Sequence, residues 1–310
     1  MKKNLISLII AFVLCFSTSI LAQFSSEWEA TGGLFATSVL SVATSGNNIY
    51  LGTDGEGVFC STNNGESWTN SNVGLTNTTV RALTVDGTNI FVGTASGVFL
   101  STNNGESWTA TNNGLTNTNI YAIANNGSNI FAGSNGGGMF LSTNNGSDWI
   151  GINNGLNATL IRAISIYDNV LYVGTGYSSN SGVYVSSNNG SSWTQMNTGL
   201  TNINVTSLSA SDGNLFAGTA GGGVFYSSND GANWSQVNTG LTNNYINAVA
   251  INGANVYASS SEAGIFKSTN NGLNWFEFDN GIISPKLNCL YSKENIIIAG
   301  NSSGAFNTTN

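Results

Sequence analysis

Ser61-Thr62-Asn63-Asn64-Gly65-Glu66-Ser67-Trp68, STNNGESW, decides the fold because it does not stand alone. The same octet opens at Ser101 (STNNGESW), Ser142 (STNNGSDW), Ser186 (SSNNGSSW), Ser227 (SSNDGANW) and Ser268 (STNNGLNW). With Trp28, the octets place all seven tryptophans in one register, at 28, 68, 108, 149, 193, 234 and 275. A period of about forty residues marks an array of similar units. Between Leu75 and Asn113 one unit holds apolar runs at Val80 to Val85, Ile90 to Thr94 and Gly97 to Ser101, and a fourth run starts at Trp108. Short runs rich in Val, Ile, Phe and Ala, bounded by Gly, Asn, Ser and Thr, are strand signals. Four strands per unit describe a propeller blade.

The expected fold is therefore all-β, a seven-bladed β-propeller of four-stranded blades. Trp28 has no preceding octet, and Leu287 to Asn310 has three strand runs but no tryptophan. The two partial units complete one blade: residues 24 to 32 supply its outer strand, and the runs around Leu290, Ile297 and Phe306 its inner three. Pairing of the N-terminal strand with the C-terminal strands closes the ring and leaves no open sheet edge there.

Met1 to Ala22 carries Lys2 and Lys3, an apolar stretch from Leu5 to Phe16 and a small residue before Gln23, the pattern of a signal peptide. The expected organisation is residues 1–22 as leader and 23–310 as propeller, exported to a periplasm, a cell surface or the medium. The apolar stretch is shorter than the roughly 20 residues of a membrane span. Cleavage removes two of the seven bases and none of the fifteen acids, so the formal charge moves from −8 to −10. That balance argues against nucleic acid and anionic membranes as partners. Cys60 and Cys289 fall on different strand types, so a disulfide between them is not the default.

The octet has a local logic. The Ser hydroxyl and the Asn carboxamide can bond turn amides, the Gly can take positive φ, and the indole packs back over the turn, fastening the third strand to the fourth. In form it resembles the Asp-box, or bacterial neuraminidase repeat, Ser-x-Asp-x-Gly-x-x-Trp. The matching positions are Ser61, Asn63, Gly65 and Trp68; Ser101, Asn103, Gly105 and Trp108; Ser142, Asn144, Gly146 and Trp149; Ser186, Asn188, Gly190 and Trp193; Ser227, Asn229, Gly231 and Trp234; and Ser268, Asn270, Gly272 and Trp275. The third position is Asn throughout. The resemblance implies a propeller over the mature chain, and it spans sialidases, xyloglucan hydrolases, sortilins and photosystem II assembly factors, so it leaves function open.

The residues available limit the chemistry. There is no histidine, which removes Ser-His-Asp and Cys-His triads. A sialidase-like site would need three arginines, whereas the chain has Arg81 and Arg162 alone. Gly52-Thr53-Asp54-Gly55-Glu56-Gly57 resembles the loop that carries a catalytic aspartate in xyloglucan hydrolases, which makes Asp54, with a second carboxylate such as Glu262, the alternative, enzymatic reading. The octets lack the clustered carboxylates of calcium loops. No metal, cofactor or catalysis is expected.

The ligand face is expected to be the one carrying the loops that lead into the first strands and those between second and third strands. At the second residue of the first strand the series runs Leu40, Arg81, Tyr121, Arg162, Thr206, Asn247 and Asn288. Arg81, Tyr121 and Arg162 come from consecutive blades, Asp54 and Glu56 flank them, and three extra residues between Thr175 and Ser181 bring Tyr177 beside Arg162. This sector is expected to bind a protein partner or an extracellular glycan, with the propeller acting as a monomer; arginine with tyrosine suits both ligand classes.

Overall fold

The computed structural model describes residues 28–34, 36–293 and 296–309. The leader read at Met1–Ala22 and the first residues of the expected outer strand, 24 to 27, lie outside the described residues. Seven four-stranded antiparallel sheets follow one another in chain order. Blade 1 is Val39–Ser45, Asn48–Thr53, Val58–Ser61 and Thr69–Asn70; blade 2 is Val80–Asp86, Asn89–Thr94, Gly97–Ser101 and Thr109–Ala110; blade 3 opens with Ile120–Asn126. Blades 4, 5 and 6 open with Ile161–Tyr167, Val205–Ser211 and Ile246–Asn252. The seventh blade is composite: Leu287–Lys293, Ile296–Asn301 and Gly304–Thr309 take Glu29–Ala30 as their outer strand, with Glu29 opposite Asn307 and Ala30 opposite Phe306.

The core lies between the blades. One cluster joins Tyr50 and Val58 of blade 1 to Val80, Leu83, Val92 and Trp108 of blade 2, and another joins Tyr257 and Ile265 of blade 6 to Trp28, Leu287, Ile297 and Phe306. Blades approach this closely because the second strand of every blade but the sixth carries glycine where the next blade leans in. At Gly133 a Cβ would stand 2.4 Å from Ile161 Cγ2, a contact that only the missing side chain permits.

The octets fold as read, with one addition. In blade 3, Ser142 Oγ donates to Asn144 Oδ1 (2.9 Å) and accepts from Gly146 N (2.8 Å), while Asn144 Oδ1 also accepts from Asp148 N (2.9 Å). The amide oxygen thus does the work a carboxylate would do, which is why Asn serves at the third position. The residue before the glycine, Asn145 at φ +55°, is left-handed, a conformation that Asn tolerates. The addition concerns the indole. Trp149 Nε1 donates to Thr111 O (2.8 Å) and Trp149 N to Asn113 O (2.8 Å), both on the preceding blade. The tryptophan therefore fastens blade to blade as well as strand to strand. The outer strands are only two residues long and begin after the tryptophan.

A second repeat, Asn-x-Gly-Leu, sits just beyond the outer strands of blades 1 to 5. Asn72 Oδ1 accepts from Val58 N (2.7 Å) and its Nδ2 donates to Glu56 O (2.8 Å); Asn112, Asn153, Asn197 and Asn238 repeat the pair of bonds. Blade 6 has Asp279 in this place, beside Gly264. A carboxylate cannot supply the amide donor. Burial, and then the charge of Glu277, raise the Asp279 carboxyl above its ordinary value. A raised carboxyl favours the neutral form in the fold, so its contribution is present at low pH and is lost as pH rises through the folded pKa. Asp279→Asn is expected to stabilise the protein by about 0.5 to 1 kcal/mol at about pH 7, the gain shrinking toward about pH 4. Urea denaturation at the two pH values checks this; a variant less stable at neutral pH contradicts the register.

Cys60 on a third strand and Cys289 on a first strand are free thiols. Among the described residues no helix is long and apolar enough to cross a membrane.

Candidate functional site

Every first strand carries a register shift at its second residue: between Val39 and Ser41, Val80 and Ala82, Ile120 and Ala122, Ile161 and Ala163, Val205 and Ser207, Ile246 and Ala248, and Leu287 and Cys289. The residues read from the sequence as free of the core are thus the bulged ones, Leu40, Arg81, Tyr121, Arg162, Thr206, Asn247 and Asn288. A bulge leaves one residue unpaired and re-aims its side chain.

Three of the bulged side chains brace the ring. Thr206 Oγ1 donates to Ile246 O (2.5 Å), Asn247 Nδ2 to Leu287 O (2.7 Å) and Asn288 Nδ2 to Val39 O (3.0 Å). The arginines do something else. Arg81 Nη1 donates to Asn119 Oδ1 (2.5 Å) and its guanidinium carbon lies 4.6 Å from the centre of the Tyr121 ring. Arg162 stacks on Tyr177 at 5.2 Å, and its guanidinium has no hydrogen-bond partner among the described residues. Arg162 also lines the central cavity of about 220 Å³ together with Leu40, Thr206, Asn247 and Asn288. The structure resolves the expected row into two stacked pairs, Arg81 with Tyr121 and Arg162 with Tyr177.

Tyr177 reaches its place through a strained loop. Its φ is +61°, a left-handed conformation uncommon for a bulky side chain. Asn204 Oδ1 accepts from Tyr177 N (2.7 Å), and Ser181 Oγ accepts from Ser178 N (2.9 Å). The ring is left 69% exposed. Asp54 lies on the loop of blade 1 that abuts the strand carrying Arg81: its carboxylate accepts from Thr79 Oγ1 (3.3 Å) and its amide donates to Ser38 O (2.9 Å). Glu56 is exposed on the same loop. Arg81 turns to Asn119 and Tyr121 rather than to either acid.

Sequence reasoning missed Asn119, Asn204 and Tyr245, which stand one residue ahead of their first strands. The available signal was the series at that position, Ser38, Thr79, Asn119, Leu160, Asn204, Tyr245 and Lys286. Glu262 lines a cavity with Asn243, Tyr245 and Ser261, to which Asp54 does not contribute. No group of three His, Cys, Asp or Glu residues among the described ones could hold a metal ion.

Fold and face together define a β-propeller in which Arg162 lines the central cavity and stacks on Tyr177, while Arg81 stacks on Tyr121. A family profile described as the DUF6242 beta propeller domain matches residues 152–286. No curated protein matches. Among solved structures, YCF48 bound to D1 peptide aligns with a TM-score of 0.76 at 13% identity, over 92% of this chain and 98% of that one. The extracellular domain of the putative one component system BT4673 from B. thetaiotaomicron gives 0.75 at 16% identity, over 92% of this chain and 40% of that one. The GH74 xyloglucanase from Xanthomonas campestris gives 0.72 at 16% identity, over 92% and 54%. At these identities the likeness is one of fold.

Proposed function

We propose that the protein is an exported, non-catalytic binding propeller that holds a protein segment or a glycan across the face bearing Arg81, Tyr121, Arg162 and Tyr177. The observation that carries this is the Arg162 guanidinium, which lines the central cavity, stacks on an exposed tyrosine and has its donors unspent among the described residues. A planar donor fork held in place by an aromatic ring loses little entropy on binding and suits a carboxylate, a peptide carbonyl or a sugar hydroxyl. The whole chain has two arginines, and both stand at the bulged second residue of a first strand, in blades 2 and 4. Support from the comparisons is of shape: YCF48, of nearly the same extent, carries a bound D1 peptide, and the BT4673 domain is extracellular. The leader read at Met1–Ala22 supports export.

The enzymatic alternative would pair Asp54 with Glu262. They come from blades 1 and 6, with the composite blade between them, and they share no cavity among those described. The binding reading needs no such convergence. Arrays of peptides and glycans probed with residues 23–310 and with the Arg81→Ala, Tyr121→Ala, Arg162→Ala triple variant test it. Binding is expected to fall by about tenfold or more in the variant with its melting temperature retained. Equal binding by the two proteins refutes the assignment of the face.

A further inference from the structure

A second recess lies on the same face, outside the arginine sector, where the loops of blades 5 and 6 meet. Tyr245 bridges Ala220 of blade 5, and its ring is 58% exposed. Three bonds fix its backbone: Tyr245 N donates to Asn243 Oδ1 (2.8 Å), and Tyr245 O accepts from Ser261 N (2.9 Å) and Ser261 Oγ (3.2 Å). These bonds fix the backbone from which the exposed ring projects. Gly221 flanks it at φ +99°, where a Cβ would come within 3.4 Å of the ring. Asn243, Tyr245, Ser261 and Glu262 enclose about 220 Å³. The Glu262 carboxylate and the Asn243 amide nitrogen have no partners among the described residues.

We infer that this recess is a neutral-carbohydrate subsite, in which Tyr245 stacks on the C–H face of a sugar while Glu262 and Asn243 bond its hydroxyls. An anionic ligand would meet Glu262. An apolar one would bury that carboxylate and the Asn243 amide unpaired, at a cost. A sugar supplies both an apolar face and hydroxyls that donate to the one group and accept from the other. The blade 5 loop Ala220-Gly221-Gly222-Gly223, which Tyr245 bridges at Ala220, carries no side chain beyond a methyl, so the Tyr245 ring is open on that side. The inference rests on the reading of this face as the ligand face and adds the chemical class.

The test uses residues 23–310 and neutral gluco-, manno-, xylo- and galacto-configured hexasaccharides, with affinity measured by calorimetry. At least one is expected to bind. Tyr245→Ala is expected to weaken it by about tenfold or more, and Glu262→Gln by about threefold or more. Both side chains are exposed, so the melting temperature should hold. Glu106→Gln, at an exposed side chain on the blade 2 octet turn of the opposite face, is expected to change the affinity by less than about twofold. Absence of binding by all four hexasaccharides at millimolar concentration overturns the inference, as does binding that survives Tyr245→Ala. A ligand from the peptide and glycan arrays that depends on Arg81 and Arg162 but not on Tyr245 leaves the mouth as the binding site and removes the carbohydrate subsite.

Discussion

Trp108→Ala is expected to cost about 3 to 5 kcal/mol of stability, the range for emptying a buried aromatic site. Trp108 is 4% exposed and packs into the cluster shared by blades 1 and 2. It also donates from Nε1 to Ser71 O (2.7 Å) and from its backbone N to Val73 O (2.8 Å), both on the preceding blade. Truncation opens a cavity and leaves the Ser71 carbonyl without this donor, and the two penalties add. Trp68 supplies the internal control. Three residues past the preceding tryptophan lies the acceptor in the other blades; for Trp68 that residue is Thr31, yet the buried Trp68 Nε1 has no partner among the described residues. Trp108→Phe should therefore lose a hydrogen bond worth about 1 kcal/mol that Trp68→Phe does not lose. Equal losses in the two phenylalanine variants, measured by urea denaturation, would mean that the indole bond contributes nothing.

A protein beginning at Gly32 is expected to lose its ring closure. The deletion removes Trp28, which is 1% exposed, donates to Phe278 O (2.7 Å) from its indole and to Asn280 O (3.0 Å) from its backbone, and packs with Tyr257 and Leu287. It also strips Glu29–Ala30 from Gly304–Thr309, exposing a sheet edge. Loss of the tryptophan alone is worth about 4 kcal/mol, which in a domain of this size lowers the melting temperature by about 10 °C. Aggregation through the freed edge should accompany unfolding. An unchanged melting temperature in a monomeric truncated protein would show that the N-terminal strand does not close the ring.

How much of this was legible in the sequence depended on whether a signal repeated. The octets repeat six times, and their spacing with Trp28 was enough to give seven blades and the composite closure. The side-chain logic of the turn followed from residue types alone. The blade-to-blade bonds of the tryptophans did not, because periodicity says which residues are equivalent and nothing about which way an indole N–H points. The Asn-x-Gly-Leu motif was equally periodic, but its residues are ordinary in turns and their long-range bonds to the third strand leave no mark in composition. Variation within a fixed register singled out Arg81, Tyr121 and Arg162, and the bulge explains why that position can vary. Arg162 turns to Tyr177 of its own blade because the lengthened loop between Thr175 and Ser181 reaches back over it. Tyr245 escaped because it occurs once, one residue outside the strand, where no repeat draws attention to it.

The central claim is that a ligand sits over the channel mouth. A crystal structure of residues 23–310 with the strongest ligand from the arrays tests it most directly. The account predicts ligand density against the Tyr177 ring and within hydrogen-bond distance of the Arg162 guanidinium. Density confined to the opposite face, over the Ser-x-Asn-x-Gly turns, or to the outer strands would contradict it.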